Sequence, residues 1–180
     1  MRKNIIISLV AMSFSFPLFA DVCATGNCIT GKGIYQWSNG HIYTGQFKYN
    51  RFHGHGVYDW PKGKKYVGQW RDGEMHGHGV MTWPTGQKYD GNWAYDGKSG
   101  YGVMNWANGE KYDGQWEDGK RHGKGVMTLS NGEKYEGSWK LDKKDGDVVL
   151  TRADGKKVLQ YYEQGTRLEK RPPPPSKNNN

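Results

Sequence analysis

Long apolar runs are nearly absent from this 180-residue chain, and only 34% of its residues are hydrophobic. That scarcity leaves no second layer of long apolar strands to close a core, and in a non-repetitive chain it would point to disorder. The one apolar stretch, residues 5–16, is too short and too broken for a membrane span. Cysteine is also scarce: Cys23 and Cys28 stand alone. They do not form a Cys-x-x-Cys redox motif, and two cysteines leave a metal site incomplete. Catalytic signatures are missing too. There is no G-x-S-x-G serine elbow. Gly97-Lys98-Ser99 matches the end of a phosphate loop, but the glycine required five residues earlier is Asn92, and the place is a turn rather than a strand-to-helix junction. Carboxylates fall in columns instead of converging as a pair. The reading is a chain that is not an enzyme, with no cofactor, no metal and no nucleic-acid partner.

What the chain has in plenty is glycine and aromatics: 27 Gly, 12 Tyr and 8 Trp. They recur every 23 residues without slipping. Tyr43, Tyr66, Tyr89, Tyr112 and Tyr135 form one column. Gly45, Gly68, Gly91, Gly114 and Gly137 form a second, and Phe47, Trp70, Trp93, Trp116 and Trp139 a third. Later in each unit come glycine pairs such as Gly77/Gly79, then Trp60, Trp83, Trp106 and, as an exception, Leu129. A fixed period of this size is the mark of a repeat array.

Each unit holds two runs of period two, the strand signal. Tyr66, Gly68 and Trp70 share one face; Gly77, Gly79, Met81 and Trp83 share one face of the next run. Asp72-Gly73 separates the runs on one side. Pro84-Thr85-Gly86, or elsewhere Asn39-Gly40, Asn108-Gly109, Asn131-Gly132 and Asp154-Gly155, separates them on the other. Such pairs admit the positive φ angles of tight hairpins. The expected fold is all-β: an elongated single-layer antiparallel sheet of stacked β-hairpins, with about 12 strands and a length on the order of 55 Å. Large rings on the glycine face would lie over bare backbone and shield its hydrogen bonds.

The pattern Y-x-G-x-W-x-x-G-x-x-H-G-x-G, read from Tyr66 to Gly79, resembles the MORN repeat family (membrane occupation and recognition nexus), here as a secreted bacterial-type member. The resemblance covers four full units, residues 43–134, with weaker units on either side. It implies an elongated, twisted, grooved sheet, and roles in anionic-lipid contact, dimerisation and protein docking. His53, His76 and His122 match the family's own repeat position, which implies a structural role in the turn rather than a metal site.

The ends are irregular. Residues 1–20 read as a secretory signal peptide: Arg2 and Lys3, a short apolar run, then Pro17 and Leu18-Phe19-Ala20 before Asp21. A retained anchor is the alternative. Export, to the periplasm or outside the cell, places Cys23 and Cys28 where a local disulfide forms. Residues 21–42 hold a half-unit that, with this disulfide, reads as an N-terminal cap. A degenerate unit and C-terminal cap fill 135–170, with a last strand near 158–162. Residues 171–180, RPPPPSKNNN, read as a disordered tail or a polyproline II ligand.

Without its leader the chain loses two of its 26 basic residues, leaving 24 against 18 acidic ones and a charge of +6. That balance favours acidic partners only weakly. Lys65, Lys88, Lys111 and Lys134 form a row that could meet anionic lipid or glycan, but Asp90, Asp113 and Glu136 lie two positions beyond the last three and largely cancel it. The aromatic face is the better site: Tyr66, Trp70, Trp83, Tyr89, Trp93, Trp106, Tyr112 and Trp116. Either these rings cover one another and leave nothing to bind, or they form an aromatic groove. The expected function is a non-catalytic scaffold that binds a protein, or a second copy of itself, through that groove. The alternative is binding to anionic lipid or cell-envelope glycan.

Overall fold

The computed structural model describes residues 21–171. The expected signal peptide and all but the first residue of the expected tail lie outside the described residues. The chain forms strands β1 Val22–Gly26, β2 Gly31–Gln36, β3 Ile42–Lys48, β4 Arg51–Asp59 and β5 Lys65–Arg71. These are followed by β6 Glu74–Thr82, β7 Lys88–Ala94, β8 Gly97–Asn105, β9 Lys111–Glu117 and β10 Lys120–Thr128. The last are β11 Lys134–Lys140, β12 Lys143–Thr151, β13 Lys157–Glu163 and β14 Thr166–Leu168.

Each strand pairs antiparallel with its chain neighbours, so the 14 strands lie in one sheet in sequence order. At about 4.8 Å per strand the sheet is roughly 62 Å long. The sequence pointed to about 12 strands, and the two further ones sit at the ends. β1 pairs with β2 from Val22↔Gln36 to Gly26↔Gly33 although it lacks the repeat's Tyr, Gly and Trp. β14 pairs with β13 through only Tyr161↔Leu168, Tyr162↔Arg167 and Glu163↔Thr166. Pairing at an end needs backbone groups, not repeat side chains. Cys23 and Cys28 are bonded, as expected, and tie β1 to the loop that follows it.

The two long edges of the sheet use different turns. One edge carries two-residue turns: Tyr49-Asn50, Asp72-Gly73, Tyr95-Asp96, Asp118-Gly119, Leu141-Asp142 and Gln164-Gly165, with both central φ angles positive in each. That is the type I′ signature, whose twist matches the flanking strands. The other edge carries five-residue loops. In the loop 83–87, Trp83 N–H donates to the Gln87 carbonyl at 3.0 Å and Gly86 N–H to the Trp83 carbonyl at 3.0 Å. Here only the glycine is left-handed, Gly86 at φ +88°. Asn39, Asn108, Asn131 and Asp154 do not share that conformation. Their side chains accept backbone N–H groups instead, as Asn108 Oδ1 does from Glu110 at 3.1 Å.

A bulge inside each regular hairpin explains the Gln and the His-Gly steps of the repeat. On the β5 side, Gly68 faces Gly79 and Gln69 faces His76, which leaves Gly77 and His78 unpaired. Gly77 takes φ +58°. Gln69 Oε1 then accepts the His78 N–H at 3.1 Å, as Gln46 does from His55 at 3.2 Å and Gln115 from Lys124 at 2.8 Å. The bulge spans two residues, so period two survives it: Met75, Gly79 and Met81 share a face.

Candidate functional site

The glycine columns make room for rings. A Cβ on Gly68 or Gly79 would collide with the Tyr66 ring, and Tyr43, Tyr89 and Tyr112 lie in the same way over Gly45/Gly56, Gly91/Gly102 and Gly114/Gly125. Each hydroxyl donates to the carbonyl three residues on, Tyr66 to Gln69 at 2.9 Å and Tyr89 to Asn92 at 3.0 Å. Burial pushes all four hydroxyls far above the ordinary tyrosine range. The tryptophans lock neighbouring hairpins together. Trp70, Trp93, Trp116 and Trp139 donate their indole N–H to the carbonyls of Gly56, Gly79, Gly102 and Gly125 at 3.3, 3.0, 3.0 and 3.1 Å.

Tyrosines and tryptophans therefore alternate edge to face along the sheet. Tyr66 meets Trp70 at 5.0 Å and Trp93 at 5.4 Å; Tyr89 meets Trp93 at 5.1 Å and Trp116 at 5.4 Å; Tyr112 meets Trp116 at 5.2 Å and Trp139 at 5.4 Å. All are near perpendicular, the arrangement ring quadrupoles favour. Of the eight rings singled out in the sequence, Tyr66, Tyr89 and Tyr112 are fully buried, and Trp70, Trp93 and Trp116 are 4–6% exposed. These six lie in the core of the sheet. Trp83 and Trp106, at the five-residue loops, pack against it half-buried.

What covers these rings and their counterparts toward the C-terminus is a column that sequence reasoning missed: Phe52, Met75, Lys98, Arg121 and Lys144. Each stands opposite the last aromatic of its own hairpin, as Met75 faces Trp70 and Lys98 faces Trp93. Each leans on the next hairpin. Phe52 meets Trp70 at 5.2 Å. Lys98 Nζ lies 4.1 Å from the Trp116 ring centre, and the Arg121 guanidinium 4.7 Å from that of Trp139. Lys144 Nζ lies 3.8 Å from the Tyr135 centre and 4.1 Å from that of Tyr162. The following turn fixes the backbone of the column: Gly119 N–H donates to the Lys98 carbonyl and Gly165 N–H to that of Lys144, both at 2.9 Å. Arg121 is held by Asp142 at 3.0 Å. Burial lowers the Lys98 ammonium below the usual lysine range, with Asp142 opposing it. The period was the available signal. The column escaped notice because its members share a position and not a residue type.

The opposite face is more polar. Lys88 pairs with Asp90 and Lys111 with Asp113, each at 3.0 Å, which is the expected cancellation at two places of the lysine row; among the described residues the third expected pair, Lys134 with Glu136, does not form. Half-exposed Tyr101 donates to Asp113 and stands between two open hollows of about 850 and 480 Å³. His76 sits opposite Gln69 in the bulge. Among the described residues, no three His, Cys, Asp or Glu side chains group as metal ligands would.

The MORN repeat pattern matches residues 29–42, 43–65, 66–88, 89–111, 112–134 and 135–157. The chain belongs to the MORN repeat family. The six matched segments of this MORN protein extend beyond the four regular units on both sides. They include the half-unit that forms β2 and the degenerate unit whose second strand, β12, carries Val148 in place of a glycine. One similar solved structure is the TCP domain of Drosophila melanogaster SAS-4 in complex with a proline-rich motif of Ana2. It is 13% identical, with a TM-score of 0.41 over 88% of this chain and 96% of that one. No curated protein matches the chain.

Proposed function

We propose that this MORN protein is an exported, non-catalytic scaffold that binds a partner protein along its aromatic face. One observation carries the reading. The sheet is a single layer, and the described chain packs no second element over the aromatic face, where Trp83 and Trp106 keep accessible ring surface. Rings of this kind, half-buried on a rigid support, are the residues that anchor protein interfaces. Export rests on the leader-like residues 1–20 and is supported by the Cys23–Cys28 bond, since disulfides persist in oxidising compartments. A photo-crosslinking residue tests the face. Placed at Trp106 in the exporting cell, it should yield a covalent protein adduct, and the same residue at Val103, on the opposite face, should not. Adducts from Val103 alone would overturn the reading. Glycan adducts there would favour a second one, envelope-glycan binding around Tyr101, an exposed ring between two open hollows.

A further inference from the structure

The covering column changes character along the sheet. Its first two members, Phe52 and Met75, are apolar. Its last three, Lys98, Arg121 and Lys144, are cations standing over rings. At 75 a methionine is buried in the same cluster of rings, so packing alone does not call for charge at 98, 121 and 144. Charge here has a cost: burial disfavours the Lys98 ammonium. Among the described residues Lys98 and Lys144 have no carboxylate partner, and Lys144 instead donates to the Tyr162 hydroxyl at 2.9 Å. Arg121 alone is paired, to Asp142.

The three cations lie on β8, β10 and β12, every second strand of the sheet. Strands about 4.8 Å apart set them roughly 9.6 Å from one another. An extended β-strand laid across the sheet does not match. Side chains on one of its faces recur every two residues, at about 6.7 Å, or every four, at about 13 Å. A polyproline II helix does match: three residues per turn at about 3.1 Å each bring every third side chain onto one face, about 9.3 Å apart.

We propose that Lys98, Arg121 and Lys144 form a row that receives an acidic segment in polyproline II conformation, with Asp or Glu at every third position. The segment runs along the sheet, across the strands, beside the edge of two-residue turns. This inference rests on the proposed protein-binding role of the same face and names the partner's chemistry. The cations supply the charge, and their half-buried aliphatic stems supply the apolar contact.

The test uses the full chain and three fluorescent peptides: five repeats of Glu-Pro-Pro, five of Ser-Pro-Pro, and seven of Glu-Pro, which places its acids two residues apart. Anisotropy should show Glu-Pro-Pro binding at least tenfold tighter than either other peptide. Raising the salt should weaken it. The double variant Lys98→Met and Lys144→Met should lose at least tenfold in affinity for Glu-Pro-Pro. At 75 a methionine is buried in the same cluster of rings, so the double variant should keep its melting temperature, which separates loss of binding from loss of fold. Equal affinity of the variant and the native chain, or equal affinity for the two acidic peptides, would overturn the proposal. So would capture by phosphatidylglycerol vesicles with no peptide binding. If the Trp106 crosslinks in the cell persist in the double variant while Glu-Pro-Pro fails to bind, the docking face stands and its acidic partner falls. If both fail, the docking face falls as well.

Discussion

At the scale of the residue, the fold depends on glycines that leave room and rings that use it. Gly79 has an ordinary strand backbone but no space, because the Tyr66 ring occupies the position of a Cβ. Gly86 has the reverse situation: open space around it and φ +88°. Alanine should therefore cost differently at the two sites. Gly79→Ala overpacks the ring contact and should destabilise by about 3 kcal/mol. Gly86→Ala meets only backbone strain and should cost about 1 kcal/mol. Urea titrations of the two variants give the comparison, and equal losses would mean that the ring contact does not hold Gly79. The buried tyrosines give a second prediction, about pH. Their folded pKa values lie above the ordinary 10.0 of an exposed tyrosine because burial disfavours the phenolate. Above pH 10 the unfolded chain releases protons that the folded chain keeps, so stability is full below that pH and falls as pH rises beyond it. Thermal melting should show a midpoint insensitive to these groups up to about pH 10 and declining above it. A flat midpoint through about pH 12 would contradict burial of the row.

At the scale of the element, the hairpin was largely legible. Asp72-Gly73 reads as a tight turn, and it is one. Less legible was the division of labour between the edges. Asn108-Gly109 has the composition of a type I′ turn but sits in a five-residue loop, because Trp106 and Glu110 close it by a backbone hydrogen bond of 2.9 Å. Composition does not reveal which residue closes a loop. The bulge at Gly77-His78 was hidden for another reason: it preserves parity, so the alternation reads through it. The type I′ edge also has a doubled period. Tyr49, Tyr95 and Leu141 alternate with Asp72, Asp118 and Gln164 at the first turn position, all with positive φ. Tyrosine is strained there, and asparagine is not. Tyr95→Asn should accordingly raise stability by about 1 kcal/mol, read as an increase in melting temperature. A decrease would mean that the Tyr95 ring, 6.2 Å from His76, contributes packing that outweighs its strain.

At the scale of the whole molecule, a single sheet does without a second layer because its own rings form one. The period, the all-β class and the aromatic face were all visible in the columns. The depth of burial was not. Rings on a lone sheet would be expected to stay wet, and what dries them is the covering residue of the preceding hairpin. That residue is Phe, Met, Lys or Arg, a series no identity-based column reveals. Trp83 and Trp106 looked equivalent to Trp93 in the sequence, yet they lie at a loop, beyond the covered strip. The most direct test of the ladder is hydrogen exchange at the eight indole N–H groups, followed by NMR on the tryptophan-labelled chain. The account predicts two classes. Trp70, Trp93, Trp116 and Trp139, bonded to glycine carbonyls under cover, should exchange slowly, while Trp37, Trp60, Trp83 and Trp106 exchange fast. Uniform exchange across all eight, or protection of Trp83 and Trp106 in place of Trp93 and Trp116, would contradict it.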